Sequence, residues 1–173
     1  MFVTDAAPLP YRIAVLCYLY DQDDRLLLLH RAKSPNAGLY SPIGGKLEVE
    51  LGEGPHQCAV REIMEETGLE IPIDQVHLFG MVSERAYEGE THWLIFLFEV
   101  RQRIDPSRIT TYEFDEGTLE WIDVDAVEQL PIPRTDREIL WPNVRKHRGG
   151  FFSIHIECDT DPMSWSIHES SAD

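Results

Sequence analysis

Glu62, Glu65 and Glu66 stand at i, i+3 and i+4. On a helix that spacing puts three carboxylates on one face. Like charges so placed oppose the helix by roughly 0.2–0.5 kcal/mol per pair. A helix kept only for packing gains nothing from them. A divalent cation reverses the sign, because Mg²⁺ takes oxygen ligands and bridges them to substrate phosphates. The plainer reading is a solvated acidic face. Four neighbouring features weigh against it: Gly44-Gly45 upstream, Glu53 on the approach, Arg61 beside and Gly68 after.

These residues need one helix to hold them. Pro55 suits a first helical position with Gly54 at the cap. Gly68 suits a left-handed residue after the last turn, with Leu69 folding back as its apolar contact. The spacing predicts a helix from Pro55 to about Thr67, with Ala59, Ile63 and Val60 as its apolar stripe.

Taken together, Gly44-Gly45, Glu53 and the run Arg61-Glu62-Ile63-Met64-Glu65-Glu66-Thr67-Gly68-Leu69 resemble the box of the Nudix hydrolases. The gap from Glu53 to Arg61 matches the family pattern. The turn before it is two residues longer, with Val49-Glu50-Leu51 where the family usually has one residue, and Glu50, five residues after Gly44, is a rival to Glu53. The gap to Arg61 favours Glu53. Alternation suggests that Val49 and Leu51 pack down while Glu50 points away.

The resemblance implies hydrolysis of the diphosphate linkage in a nucleoside triphosphate or other nucleoside diphosphate derivative. It implies Mg²⁺ or Mn²⁺, held by Glu62, Glu65, Glu66 and the Gly44 carbonyl, with Glu53 beside them. Glu62 or Glu53 would accept the proton of the attacking water, and Arg61 would orient a box carboxylate. Glu116, with Glu113 and Asp115 as rivals, is the candidate for a further carboxylate from outside the box. Lys46 is a candidate for phosphate and Tyr40 for stacking on a base. The segment Pro133 to Phe152 is similar to the C-terminal part of MutT-like 8-oxo-dGTP diphosphatases. That likeness points to Asp136 as a reader of a purine edge. The competing role for Asp136 is a helix cap. His30, His77, His92, His155 and Trp141 read as structural. The rival functions are a Nudix-fold module that binds or senses a nucleotide without turnover, and a hydrolase of ADP-ribose or dinucleoside polyphosphates.

The whole chain sets the bounds. A length of 173 residues predicts one domain. With 43% hydrophobic and 27% charged residues, the composition is that of a globular protein. The net charge of -16 argues against a nucleic-acid polymer as partner, which needs clustered Lys and Arg. It leaves phosphate substrates open, because a bound metal inverts the local field. Cys17, Cys58 and Cys158 fit neither a disulfide framework nor a zinc site, and predict a cytoplasmic protein. No signal peptide or membrane-spanning run is evident. The oligomeric state stays open, with a dimer allowed.

The elements that must position these residues follow in order. Tyr11 to Tyr20 and Arg25 to Arg31 predict two strands paired as a hairpin. Tyr40 to Ile43 leads into a Gly44-Gly45 turn, where positive φ would aim a carbonyl at a ligand. Val76 to Glu84 and His92 to Arg101 predict strands around Tyr87-Glu88-Gly89-Glu90. Ile104 to Asp115 predicts a polar loop. Gly117 to Ile122 predicts a strand. Asp123 to Leu130 predicts a short helix capped by Asp123, and a last helix runs from Thr135 or Asp136 to about Lys146. Phe151 to Glu157 predicts a final strand. The expectation is an α/β (α+β) fold, the Nudix α/β/α sandwich with a mixed sheet. The domain would occupy residues 1–158, with 159–173 a flexible acidic tail.

Overall fold

The computed structural model describes residues 7–171, so most of the predicted lead-in, residues 1–6, lies outside the described residues. Leu26, Leu27, Leu28 and Leu29 are all buried, yet they serve two different cores. Side chains alternate across a strand, so Leu27 and Leu29 enter one core while Leu26 and Leu28 enter the other. Their strand therefore lies in the middle layer, with a helical layer on each face.

The sheet comprises β1 (Tyr11–Tyr18), β2 (Arg25–Arg31), β3 (Tyr40–Lys46), β4 (Val76–Tyr87), β5 (Thr91–Val100), β6 (Glu113–Phe114), β7 (Gly117–Asp123), β8 (Phe151–Glu157) and β9 (Ser164–Ser171). Their order across the sheet is β6-β7-β2-β3-β1-β5-β4-β8-β9. The β1–β5 and β4–β8 pairs are parallel and the others antiparallel, so the sheet is mixed. Helix α1 (Pro55–Thr67) packs Cys58, Ala59 and Ile63 into the first core. A π turn over Asp136–Leu140, continued by α2 (Trp141–Lys146), packs Ile139, Leu140, Trp141 and Val144 into the second. This is an α/β/α sandwich with a mixed sheet.

Strand β3 joins the two halves. Tyr40 and Pro42 pair with β2, while Ile43 to Lys46 pair with β1. The predicted hairpin is corrected here: β1 ladders with β3 and β5, and only an isolated bridge from Tyr20 to Leu26 links its extension to β2. The expected Gly44-Gly45 turn is also corrected, since both glycines lie within β3 and neither has a positive φ. They are required for close approach instead. A Cβ on Gly44 would run into the Val15 carbonyl, and one on Gly45 into the Glu62 carboxylate.

Three further expectations change. Asp123 to Leu130 forms only a 3-10 turn at Val127–Gln129, with no side-chain cap. The predicted polar loop carries the short strand β6. In the segment expected to be a loose tail, Ser164–Ser171 pairs with β8 as an exposed edge strand, placing Ile167 opposite Ile154 and Trp165 opposite Ile156.

Candidate active site

Helix α1 begins at Pro55, and Gln57 Oε1 accepts the Gly54 amide at 2.8 Å. It ends at Gly68, whose φ of 74° is left-handed. The helix frame therefore fixes Arg61, Glu62, Glu65 and Glu66 relative to β3.

Arg61 gathers the acids around it. Its Nε and Nη2 donate to Glu53 Oε1 and Oε2 at 2.7 and 2.9 Å, a bidentate pair. Its Nη1 donates to Glu62 Oε1 at 2.8 Å and Glu65 Oε2 at 3.3 Å. Nη2 also reaches the Lys46 carbonyl at 3.1 Å. The guanidinium holds the Glu53 carboxyl down at about 2. Glu48 adds a backbone N–H to Glu53 Oε2 at 2.8 Å.

Glu66 meets the opposite environment. It is 7% exposed, and its described donor is the Gly44 amide, 3.3 Å from Oε2. Burial first, and the Glu62 charge second, push its carboxyl up to about 8. Burial raises Glu62 as well, against the pull of Arg61. Glu116 lies in the turn between β6 and β7, and its charge bears on both Glu62 and Glu66. Glu113, Asp115 and Glu116 are all exposed, and Asp115 pairs with Lys33 at 3.0 Å.

In the lengthened turn, Val49–Leu51 form a 3-10 turn on the surface. Glu50 is exposed, and so are Val49 and Leu51, at 62% and 79%. The expected packing of those two is thus corrected: a three-residue turn on the surface offers nothing apolar beneath it.

The other candidates lie elsewhere. Lys46 is exposed, its Nζ 6.0 Å from the Trp93 ring centroid. Tyr40 and Asp136 line a narrow slot on the α2 side of β3, together with Tyr18, Pro42 and Trp141. One face of Tyr40 is already stacked on His30, with centroids 4.4 Å apart, and its hydroxyl donates to Glu120 Oε2 at 3.0 Å. Asp136 caps no helix. The helical turns begin before it, and the wide π turn sets its carboxyl towards the slot. Apolar neighbours push that carboxyl up to about 7. The slot has room for about 20 Å³, a single water's worth, so a base needs it to widen.

The model of the NUDIX domain family matches residues 10–140. The chain is a Nudix hydrolase. The uncharacterized Nudix hydrolase YvcI of Bacillus subtilis is 32% identical over 119 residues, covering 68% of this chain and 70% of that protein. An oxidized purine nucleoside triphosphate hydrolase of Danio rerio is 33% identical over 121 residues, covering 69% and 70%. Among solved structures, a MutT protein from Bacillus halodurans superposes with a TM-score of 0.71 at 25% identity, covering 91% of this chain and 97% of that one.

Nudix hydrolases use divalent metal ions, and the donor set here suits one. Glu66 is buried and Glu62 half-buried, the charge of Glu62 bears on Glu66, and of the two only Glu62 is paired with Arg61. Such a pair is costly alone and favourable around a hard cation. Among the described residues, no three acidic, His or Cys side chains already close on one point. Residue types and spacing did not flag three features of this Nudix hydrolase. They are the packing role of Gly45, the orphaned Nε1 of Trp141 in the slot, and a buried acid on β4, Glu84. For Gly45, the double glycine was a visible signal whose use was misread. Trp141 was visible in the Trp141-Pro142 pair but read as core, and Glu84 carried no motif.

Proposed function

We propose that this Nudix hydrolase cleaves the diphosphate linkage of a nucleoside triphosphate, or of a related nucleoside diphosphate derivative, using Mg²⁺ or Mn²⁺. The observation that carries the reading is Glu66, a buried carboxyl raised by its burial and by the Glu62 and Glu116 charges, which forms no ion pair among the described residues. Glu62, Glu65, Glu66, Glu116 and the Gly44 carbonyl would hold the metal. When bound, the metal neutralises phosphate oxygens and lowers the pKa of a water.

The residues of the chain have separable tasks. Arg61 fixes Glu53 and Glu62 by its fork, so the acids meet substrate already oriented. Glu53, held near 2 with both oxygens engaged, is a poor proton acceptor at neutral pH. Glu62 is the better one, since burial raises it and Oε2 is left without a hydrogen bond among the described residues. It would take the water's proton at Oε2. Arg61 stays protonated throughout, its carboxylate partners raising an already high pKa.

The nucleotide half of the reading rests on β3. One end of this strand contributes Tyr40 and Pro42 to the slot, and the other places Gly44 and Gly45 against Glu66 and Glu62. Four residues of strand span about 13 Å, comparable with the length of a nucleoside diphosphate. The Danio rerio relative, named for oxidized purine nucleoside triphosphates, supports the same class. A panel of nucleoside triphosphates and nucleoside diphosphate derivatives, incubated with Mg²⁺ or Mn²⁺ and assayed for phosphate and pyrophosphate, tests it. Turnover of at least one nucleotide is expected. Tight nucleotide binding with no turnover under either metal would replace the hydrolase by a sensor.

A further inference from the structure

The sheet ends differently at its two edges. At one edge β6 has only two residues, Glu113 and Phe114. At the other, β9 runs for eight, Ser164–Ser171, and every one of them is exposed. No strand pairs with its outer side among the described residues. An open edge offers unpaired backbone N–H and C=O groups to any strand that comes alongside. Folded proteins block such edges with short strands, Lys, Pro, bulges or inward-pointing charge. Shortness blocks β6. In β9 there is no Lys, Arg or Pro, and its one carboxylate is Glu169. It does carry a bulge at His168, which leaves Ser164 to Ile167 as regular strand.

Two side chains give this edge an apolar stripe. Trp165 and Ile167 stand opposite Ile156 and Ile154, both buried in the second core. They share that face of the sheet, yet they stay 43% and 39% exposed. The stripe continues the core outward, and the backbone groups beside it ask for a strand rather than a helix or a small ligand.

We propose that β9 docks against β9 of a second copy of this chain, antiparallel, about a two-fold axis through Ser166. Residues opposite one another in such a pair share a face. With Ser166 opposite the partner's Ser166, Trp165 lies opposite the partner's Ile167, and Ile167 opposite the partner's Trp165. Each copy covers the stripe that the other exposes, and aromatic with β-branched is a favourable cross-strand pair. Charge selects the same occupant and the same register. The chain carries -16, so two copies repel except where the surface is nearly neutral. Ser164 to His168 holds no Asp, Glu, Lys or Arg. Glu169 falls opposite the partner's Met163, which sets the two Glu169 carboxylates about 20 Å apart along the ladder. That exceeds the roughly 8 Å over which exposed charges act at physiological salt. Pairing centred on Ile167 would instead set Trp165 against the partner's Glu169. The ladder is short beside the roughly 20–30 residues a side of a standard interface, so the dimer is reversible and forms as concentration rises. Strand β3, which carries the glycines of the candidate active site, lies five positions from β9 in the sheet, about 24 Å. The interface therefore leaves the box open, and its test does not depend on hydrolysis.

Sedimentation of the full chain across the micromolar range, at physiological salt, reads the dimer. Wild type is expected to pass from monomer to dimer as its concentration rises. Ile167→Glu puts two like charges within about 7 Å of each other across the axis. It should weaken the dimer at least tenfold, with the melting temperature of the dilute protein as the check on its fold. A second variant reads the register without disturbing the stripe. Ser166→Cys meets its own copy with Cβ atoms about 4.5–5.5 Å apart, so mild oxidation should link two chains through it. Ser170→Cys would stand about 26 Å from its counterpart. It should give no more linked dimer than wild type, whose half-buried Cys158 sets the background. A wild type that stays monomeric throughout the range overturns the proposal, as does a dimer that persists undiminished in Ile167→Glu. Linkage through Ser170→Cys but not through Ser166→Cys overturns it too, by placing the contact elsewhere.

Discussion

The face of α1 and the slot beneath the π turn are both acidic, and they hold their acids in opposite ways. On α1 a single guanidinium stands among Glu53, Glu62 and Glu65, and it keeps Glu53 ionised down to about 2. On the α2 side no cation acts on Glu84 or Asp136, and burial lifts them to about 8 and about 7. Residue type is the same in both places. The counter-charge within reach decides whether a carboxylate is ready for a metal or is a neutral hydrogen-bonding group. Glu66 lies between these extremes: it belongs to the box by sequence but resembles the slot acids by environment.

Four experiments would break or sharpen that contrast. The largest effect concerns the metal. Excess chelator should abolish hydrolysis and Mg²⁺ or Mn²⁺ should restore it; full activity in chelator would mean that the α1 acids serve something else. Next is Glu66→Gln, which keeps shape and removes one charge. We expect kcat to fall by about 10²-fold or more, as when one electrostatic stabiliser is removed. Glu70→Gln, beyond the helix stop and exposed, should be nearly silent. Comparable losses in both would mean that the wrong face of the helix has been assigned.

The third pair is Glu53→Gln against Glu50→Gln, with kcat read at saturating Mg²⁺. Loss of one charge from the Arg61 fork should cost about tenfold or more, while the exposed Glu50 should matter little. A larger loss at Glu50 would re-register the box.

The smallest effect is on stability. Glu84 and Asp136 bind protons more tightly in the folded chain than at their ordinary values of 4.5 and 3.8. Folded protein therefore carries extra protons between about pH 4 and 8, and stability falls as pH rises through that window. Glu53 runs the other way: its contribution is full above 4.5 and is lost as pH falls towards about 2. Thermal melts from about pH 5 to 8, without metal or nucleotide, should decline less steeply for Glu84→Gln than for wild type. Parallel declines would place the protons elsewhere.

Much of the box side was legible in the sequence, and little of the slot side. Helix α1 runs from Pro55 to Thr67 because its start and stop are written locally, in Pro55 and Gly68. The hairpin misreading at β1 and β2 has a different cause. Strand partners are chosen by contacts distant in sequence, and β1 is claimed by β5, roughly 80 residues on. Strand β9 was missed because Ser164 to Ser171 is polar and exposed, so its register comes from β8 rather than from its own pattern. Glu84 was invisible for a related reason. Ser83, Glu84 and Arg85 are polar in succession, so nothing local distinguishes the buried acid from its solvated neighbours.

The surface turn at Val49–Leu51 has a practical consequence. Glu53 is held by Arg61 from the helix and by the Glu48 amide, so the turn leaves and returns between two residues that bond each other, and its length can change between them. Lengthening an exposed loop is cheap, about 0.6 kcal/mol for each doubling. This turn is thus a natural port: a peptide tag, a fluorophore or a recognition sequence grafted between Glu48 and Gly52 would report from the rim of the site while leaving the carboxylates in place.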